Sequence, residues 1–158
     1  MKLFFVNIFP NIYLFYFQTL KENNHKVNKP FILNKLSEFI KKNNIDKIIK
    51  INEETSFWFR NEQYINQIES QLESIESDKL FEYYNLKIKE LKNDYYSNKK
   101  VLIISTNNID ISIGLFILFF KINCNMNYKK ALESIQSKLH SKIFLSNKMK
   151  LFIKNKLC

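Results

Sequence analysis

The apolar positions change period several times along the chain, and each period predicts an element. Val6-Asn7-Ile8-Phe9 and Ile12-Tyr13-Leu14 alternate apolar with polar around Pro10, which predicts a short strand pair at a sheet edge. Gln18 to Pro30 is polar, rich in Asn and Lys, and reads as a loop with room for a short helical piece. Ile32, Leu33, Leu36, Phe39 and Ile40 recur at helical spacing, with Asn43-Asn44 as the stop. Ile45 to Asn52 follows as a strand. Phe57-Trp58-Phe59 is an aromatic knot, open to two readings, core packing under a loop or a recognition surface. Tyr64, Ile65 and Ile68 predict a further strand. From Ser74 to Lys92 the pattern is helical, with Leu80, Phe81, Tyr84, Ile88 and Leu91 on one face and Ser77-Asp78 as an N-cap.

The stretch Val101 to Phe120 breaks every one of these rhythms. Val101-Leu102-Ile103-Ile104 is a continuous apolar run, the pattern of a strand buried on both faces. Polar residues dominate from Ser105 to Ser112, interrupted by Ile109 and Ile111. After Gly114, Leu115 to Phe120 is apolar on every side, which predicts the body of a buried helix. Strand, eight-residue polar loop and buried helix together are how an α/β protein builds a cradle for an anion. Beyond a turn at Asn123 to Asn127, Tyr128 to Leu139 is amphipathic through Ala131, Leu132, Ile135 and Leu139. Ile143 and Asn147 to Ile153 predict a last helix.

Composition changes this picture little. A chain of 158 residues with 46% hydrophobic side chains is expected to fold as one domain, residues 1–158. Asn, Lys and Ile are abundant and Gly occurs once, which codon bias in an AT-rich genome explains most simply. Individual Asn and Lys residues are therefore weak functional evidence. The N-terminal apolar run is broken by Asn7, Pro10 and Asn11 with no small-residue cleavage site after it, so it does not read as a signal peptide. Asn107, Asn108 and Asp110 interrupt the Val101–Phe120 run as a membrane span. A soluble, intracellular, cytoplasmic protein is expected.

Charge is more informative by its layout than by its net value of +10. Seven acids (Glu53, Glu54, Glu62, Glu69, Glu73, Glu76, Asp78) stand against Arg60 between positions 53 and 78. From Lys121 to Lys156 the balance reverses, with nine lysines (121, 129, 130, 138, 142, 148, 150, 154, 156) against Glu133. A charged partner surface and a plain solvated face both fit this layout. No aromatic–basic motif accompanies it, so specific nucleic-acid binding is not expected. Cys124 and Cys158 give neither a disulfide framework nor metal-ligand spacing, and His25 and His140 stand apart from any cluster; no metal and no cofactor are expected.

The order of residues after Val101–Ile104 resembles the signature of the cysteine-dependent phosphatases, in particular the dual-specificity branch. That signature ends a buried strand with His-Cys, leaves five residues including a Gly, and then places Arg before Ser or Thr. Here the frame reads Ile104-Ser105-Thr106-Asn107-Asn108-Ile109-Asp110-Ile111-Ser112. Ser105 stands at the Cys position, Ile111 at the Arg, Ile104 at the His and Asn108 at the Gly, and Ser112 is kept. Ile8 to Leu14 resembles the hydrophobic-x-Pro-x-Leu-Tyr-Leu opening of the same domains, with Phe15 where Gly is usual. Leu36 to Thr55 resembles the helix, turn and strand that close the first βαβ unit. Met126, Ala131 and Ile135 resemble the C-terminal helical pair, with Ser146-Asn147 in place of Pro-Asn. The resemblance spans about residues 8–153.

What it implies is an α/β fold: a central, mostly parallel sheet of four or five strands flanked by helices. The catalytic set would be missing. A thiolate nucleophile has become a serine hydroxyl, which needs a positioned base, and the bidentate grip of an Arg on phosphate is gone. The general-acid position falls near Ser74, between Glu73 and Glu76, where no Asp stands. Asp110 puts negative charge in the loop, or caps the helix that follows. The expected function is that of a pseudophosphatase, a protein-binding or regulatory module. Its partner would be a protein, a phosphoprotein or a kinase being the candidates. The alternative is a residual or altered hydrolase using Ser105 with Glu73 or Glu76. The Ser105–Ser112 loop is expected to be capped by its own Asn and Asp side chains, with Ile109 or Ile111 turned into the vacated space.

Overall fold

The computed structural model describes residues 2–18, 29–51, 77–105, 109–139, 145 and 147–157. Their element order is β1 (Lys2–Phe9), β2 (Ile12–Gln18), α1 (Lys29–Lys42), β3 (Lys47–Lys50), α2 (Ser77–Tyr96), β4 (Val101–Ile104), α3 (Asp110–Cys124), α4 (Tyr128–Lys138), α5 (Asn147–Phe152) and a π-type turn (Ile153–Leu157). The four strands form one mixed sheet in the order β1-β2-β4-β3. β1 and β2 are an antiparallel hairpin, while β4 runs parallel to both β2 and β3.

Pairing on both sides explains why β4 carries no polar position. Val101 to Ile104 are all buried, and Ile103 sits between Leu14 of β2 and Ile49 of β3. The hairpin is longer than the alternation predicts, and a correction applies to its place. β1 lies at the sheet edge, but β2 is interior, between β1 and β4. Its apolar run Leu14-Phe15-Tyr16, buried throughout, is the sequence mark of that position. Pro10 enters the turn and Asn11 completes it with φ 66°, a left-handed residue where Asn is tolerated.

The pleat divides the sheet into two faces. Phe5 and Tyr13 point to one face, where Phe39 of α1 stacks on Phe5 at 4.3 Å and meets Tyr13 edge-on at 5.5 Å. Val6, Leu14, Ile49 and Ile103 point to the other, which α3 covers with α2 and α4 beside it. In α3, Ile111, Ile113 and Leu115 to Phe120 are all buried. A helix apolar all round must be enclosed on every side, and each such side chain contributes about 1.5–3 kcal/mol relative to exposure. Phe9 bridges the layers, packing on Tyr95 at 5.1 Å and Phe119 at 5.4 Å. The ammonium of Lys138 in α4 donates to the Ile8 carbonyl, tying that helix to the edge strand.

Several boundaries differ from the expectation for local reasons. α1 starts at Lys29, three residues before the first apolar repeat, because Pro30 is tolerated in a first turn. Its Leu33 is 45% exposed, off the buried stripe of Ile32 and Leu36. β3 is Lys47–Lys50, shorter than Ile45 to Asn52. α2 spans Ser77–Tyr96, beginning at the expected cap itself and running past Lys92. α3 continues through Cys124, so the turn before α4 is Asn125 to Asn127. The expected last helix breaks after Phe152 into the π-type turn.

Asn supplies the left-handed helix endings that Gly would ordinarily supply. Asn44, Asn98 and Asn125 have φ of 52°, 56° and 52°. The next amide then reaches back, from Ile45 to the Ile40 carbonyl and from Lys99 to the Asp94 carbonyl.

At the N-terminal end of the parallel strands, Lys47 of β3 reaches α2. Its ammonium lies 2.8 Å from Asp94 and 2.9 Å from Glu90, and Lys87 and Lys99 complete the cluster at 3.6 and 3.9 Å. The bond to Asp94 dominates in raising the Lys47 pKa, against desolvation and with help from Glu90. Glu90 is lowered: desolvation acts upward on its carboxyl but is outweighed by Lys47 and Lys87. Lys100 N–H also donates to Asp46 at 2.9 Å, so this end of the sheet is pinned by charge.

Candidate functional site

The candidate loop lies at the opposite end, where β4 delivers the chain to α3. Ser105 still belongs to the sheet: its N–H donates to Phe15 O at 2.9 Å, one step beyond the β2–β4 ladder. α3 begins at Asp110, earlier than the eight-residue loop predicts, so Ile111 and Ser112 stand in its first turn. Thr106, Asn107 and Asn108 lie outside the described residues, as does the Asp110 side chain.

Helix geometry sets what this end can offer. The first intrahelical bond runs from Ile113 N–H to Ile109 O, at 2.9 Å. The amides of Asp110, Ile111 and Ser112 precede it and have no acceptor inside the helix. Ile109 is the N-cap, with φ −84° and ψ −4°, and its apolar side chain makes no cap hydrogen bond. Asp110 is the first helical residue rather than the N-cap, and its side chain lies outside the described residues. Ile109 is half-buried against the core and Ile111 is 4% exposed.

Ser105 is 1% exposed and Ser112 fully buried, and neither Oγ has a hydrogen-bond partner among the described residues. An unmet buried hydroxyl costs about 1–3 kcal/mol. A serine nucleophile would need a base within hydrogen-bond reach, and no described side chain supplies one to Ser105.

The geometry brings in one residue that periodicity had placed merely on an apolar face. Tyr84 of α2 is fully buried, and its hydroxyl donates to Ile111 O at 2.7 Å. That hydroxyl occupies the space beside Gly114: a Cβ there would lie 2.3 Å from the Tyr84 oxygen. The tyrosine ring also packs on Phe152 at 5.8 Å. Tyr84 thus clamps the first turn of α3 through a gap that only glycine leaves open. The signal was present in the sequence as the chain's single Gly, placed inside an apolar helix where it costs about 1 kcal/mol against Ala.

The other candidate positions are not brought to this loop by the described structure. Ser74, Glu73, Glu76, His25 and His140 lie outside the described residues, as do Phe57-Trp58-Phe59 and the strand expected at Tyr64 to Ile68. Cys124 is a free thiol at the far end of α3. Among the described residues, no three His, Cys, Asp or Glu side chains form a group able to hold a metal, and no helix is long and apolar enough to cross a membrane.

No protein-family model matches this chain, and no curated protein matches it. Among solved structures it is similar to a leucine rich repeat and phosphatase domain containing protein from Entamoeba histolytica. The match has a TM-score of 0.58 at 19% identity and covers 95% of this chain and 90% of that one. At that identity the likeness is one of architecture, and it agrees with the mixed sheet, its parallel β2-β4-β3 core and the helices around it. The chain has a phosphatase-like fold.

Proposed function

We propose that the chain is a catalytically silent phosphatase-like domain, a pseudophosphatase acting as a protein-binding or regulatory module. One observation carries the reading. The two ends of the cradle, Ser105 after β4 and Ile111 in the first turn of α3, are both buried, and neither has the chemistry of phosphoryl transfer. A hydroxyl is a far weaker nucleophile than a thiolate without a base beside it. A buried isoleucine cannot grip phosphate as a guanidinium does. The amides of the α3 first turn, which have no acceptor within the helix, remain a weak attraction for anions without the rest of the machinery.

The test is hydrolysis of para-nitrophenyl phosphate and of phosphopeptides by the native chain, with Ser105→Cys/Ile111→Arg measured beside it. The native chain is expected to show no turnover above buffer. Turnover by the native chain that disappears in Ser105→Ala would overturn the proposal in favour of a serine-dependent hydrolase.

A further inference from the structure

The C-terminal helices carry a surface that the degenerate cradle does not use. A groove of about 530 Å³ opens between α4 and the chain leading into α5. Tyr128, Leu132 and Leu145 supply apolar lining, and Glu133, Gln136 and Lys150 add polar groups to it. Lys129 shares the α4 flank with Glu133 and Gln136 by helical spacing, and Lys154 follows Lys150 by one turn of the chain. Leu151, between those last two lysines, is 59% exposed.

The lysines here differ from those of the charge cluster on α2. Lys47, Lys87 and Lys99 pair with Glu90 and Asp94, and Lys35 pairs with Glu38. Lys129, Lys130, Lys150 and Lys154 have no carboxylate within ion-pair distance among the described residues. Glu133 is the single acid between positions 121 and 156. An apolar concavity beside uncompensated positive charge asks for a ligand with the opposite order: an apolar anchor flanked by carboxylates.

The geometry points to this groove as the docking site for an acidic segment of a partner protein. One apolar side chain of that segment enters between Leu132 and Leu145, and its flanking acids meet Lys129, Lys150 and Lys154. This names the partner chemistry of the binding module proposed above and rests on that reading. A nucleic acid fits less well, because its phosphates have no use for the apolar lining and Glu133 interrupts the positive track. A membrane surface would prefer apolar side chains that protrude rather than a concavity.

The experiment titrates the full chain into a fluorescein-labelled, glutamate-rich peptide with one central leucine and follows anisotropy. Beside it run the same peptide with serine for leucine, an oligothymidylate, and phosphatidylcholine vesicles containing phosphatidylserine. Lys150→Glu/Lys154→Glu is expected to weaken peptide binding about tenfold, and the serine peptide to bind several-fold more weakly. Lys41→Glu/Lys42→Glu, exposed at the end of α1 on the other face of the sheet, is the control and is expected to stay within about twofold. The proposal is overturned by no binding to the native chain, by equal loss in the control, or by indifference to the leucine. Tighter binding of the oligothymidylate or the vesicles overturns it as well. Phosphatase turnover, measured separately on the same preparation, bears on the loss of catalysis and leaves the groove result as it stands.

Discussion

At the scale of single residues, Tyr84 and Gly114 decide how the loop-bearing helix is held. Replacing Gly114 by Ala brings two opposed effects. Helix propensity favours Ala by up to about 1 kcal/mol, while the new Cβ would overlap the Tyr84 hydroxyl at 2.3 Å. Tyr84 is fully buried and bonded to Ile111 O, so it has no free rotamer to retreat into. Overpacking of this kind costs about 1–3 kcal/mol, and it should win. Gly114→Ala is therefore expected to lower stability by about 1–2 kcal/mol in denaturant unfolding. Tyr84→Phe alone should cost about 1 kcal/mol for the lost hydrogen bond. Combined with Gly114→Ala it should cost less than the two single losses added, because the clashing oxygen is gone. Strict additivity would show that the two residues do not meet. This clamp was legible only in part. Periodicity put Tyr84 on a buried face, but the partner 27 positions away on α3 depends on how α2 crosses α3, which no local pattern encodes.

At the scale of elements, the charge cluster shows how an edge strand is fastened to a helix. Lys47 joins β3 to α2 through Asp94, whose side chain is 7% exposed. Lys47→Met would keep the alkyl contacts and leave Asp94 with Lys99 alone, at 3.9 Å. A partly buried carboxylate deprived of its partner costs about 2–3 kcal/mol, so the variant should lose about that much at neutral pH. The pH dependence follows from Glu90. Its pKa is lowered in the folded state, so the stability it contributes is present above the unfolded value of 4.5 and is lost as pH falls through the folded value. Lys47 is raised, so its contribution persists through neutral pH and is lost only as pH rises above 10.5 and through the folded value. Unfolding curves should show the gap between the native chain and Lys47→Met narrowing as pH falls below 4.5 and through the folded value of Glu90, and widening towards neutrality. A gap that stays constant down to pH 3 would assign the loss to packing instead.

At the scale of the whole molecule, the pattern of apolar positions foretold the architecture better than its edges. A run with no polar interruption can only be a strand or helix enclosed by others, and Val101–Ile104 and Leu115–Phe120 are both enclosed. Boundaries were less legible. Lys29-Pro30 opens α1 and Asp110 opens α3, although these residues read equally well as loop. The two ends of the loop, with Ile111 buried and Ser105 and Ser112 unpartnered among the described residues, follow from packing that spacing does not describe. The same enclosure predicts a gradient of local stability. β4 is bonded on both sides and α3 is buried through Ile113 to Phe120, so opening either exposes the core. α1 instead offers its face of the sheet a single stripe of Ile32, Leu36 and Phe39, and its Phe31 and Leu33 are 42% and 45% exposed. In native-state hydrogen exchange, amides of Leu102 to Ser105 and of Phe116 to Phe120 should exchange only through global unfolding. Those of α1 should exchange through a smaller opening, faster by one to two orders of magnitude, or about 1.4–2.8 kcal/mol less protection. Exchange of α1 and β4 at equal protection, with equal dependence on denaturant, would mean that both faces of the sheet unfold as one unit.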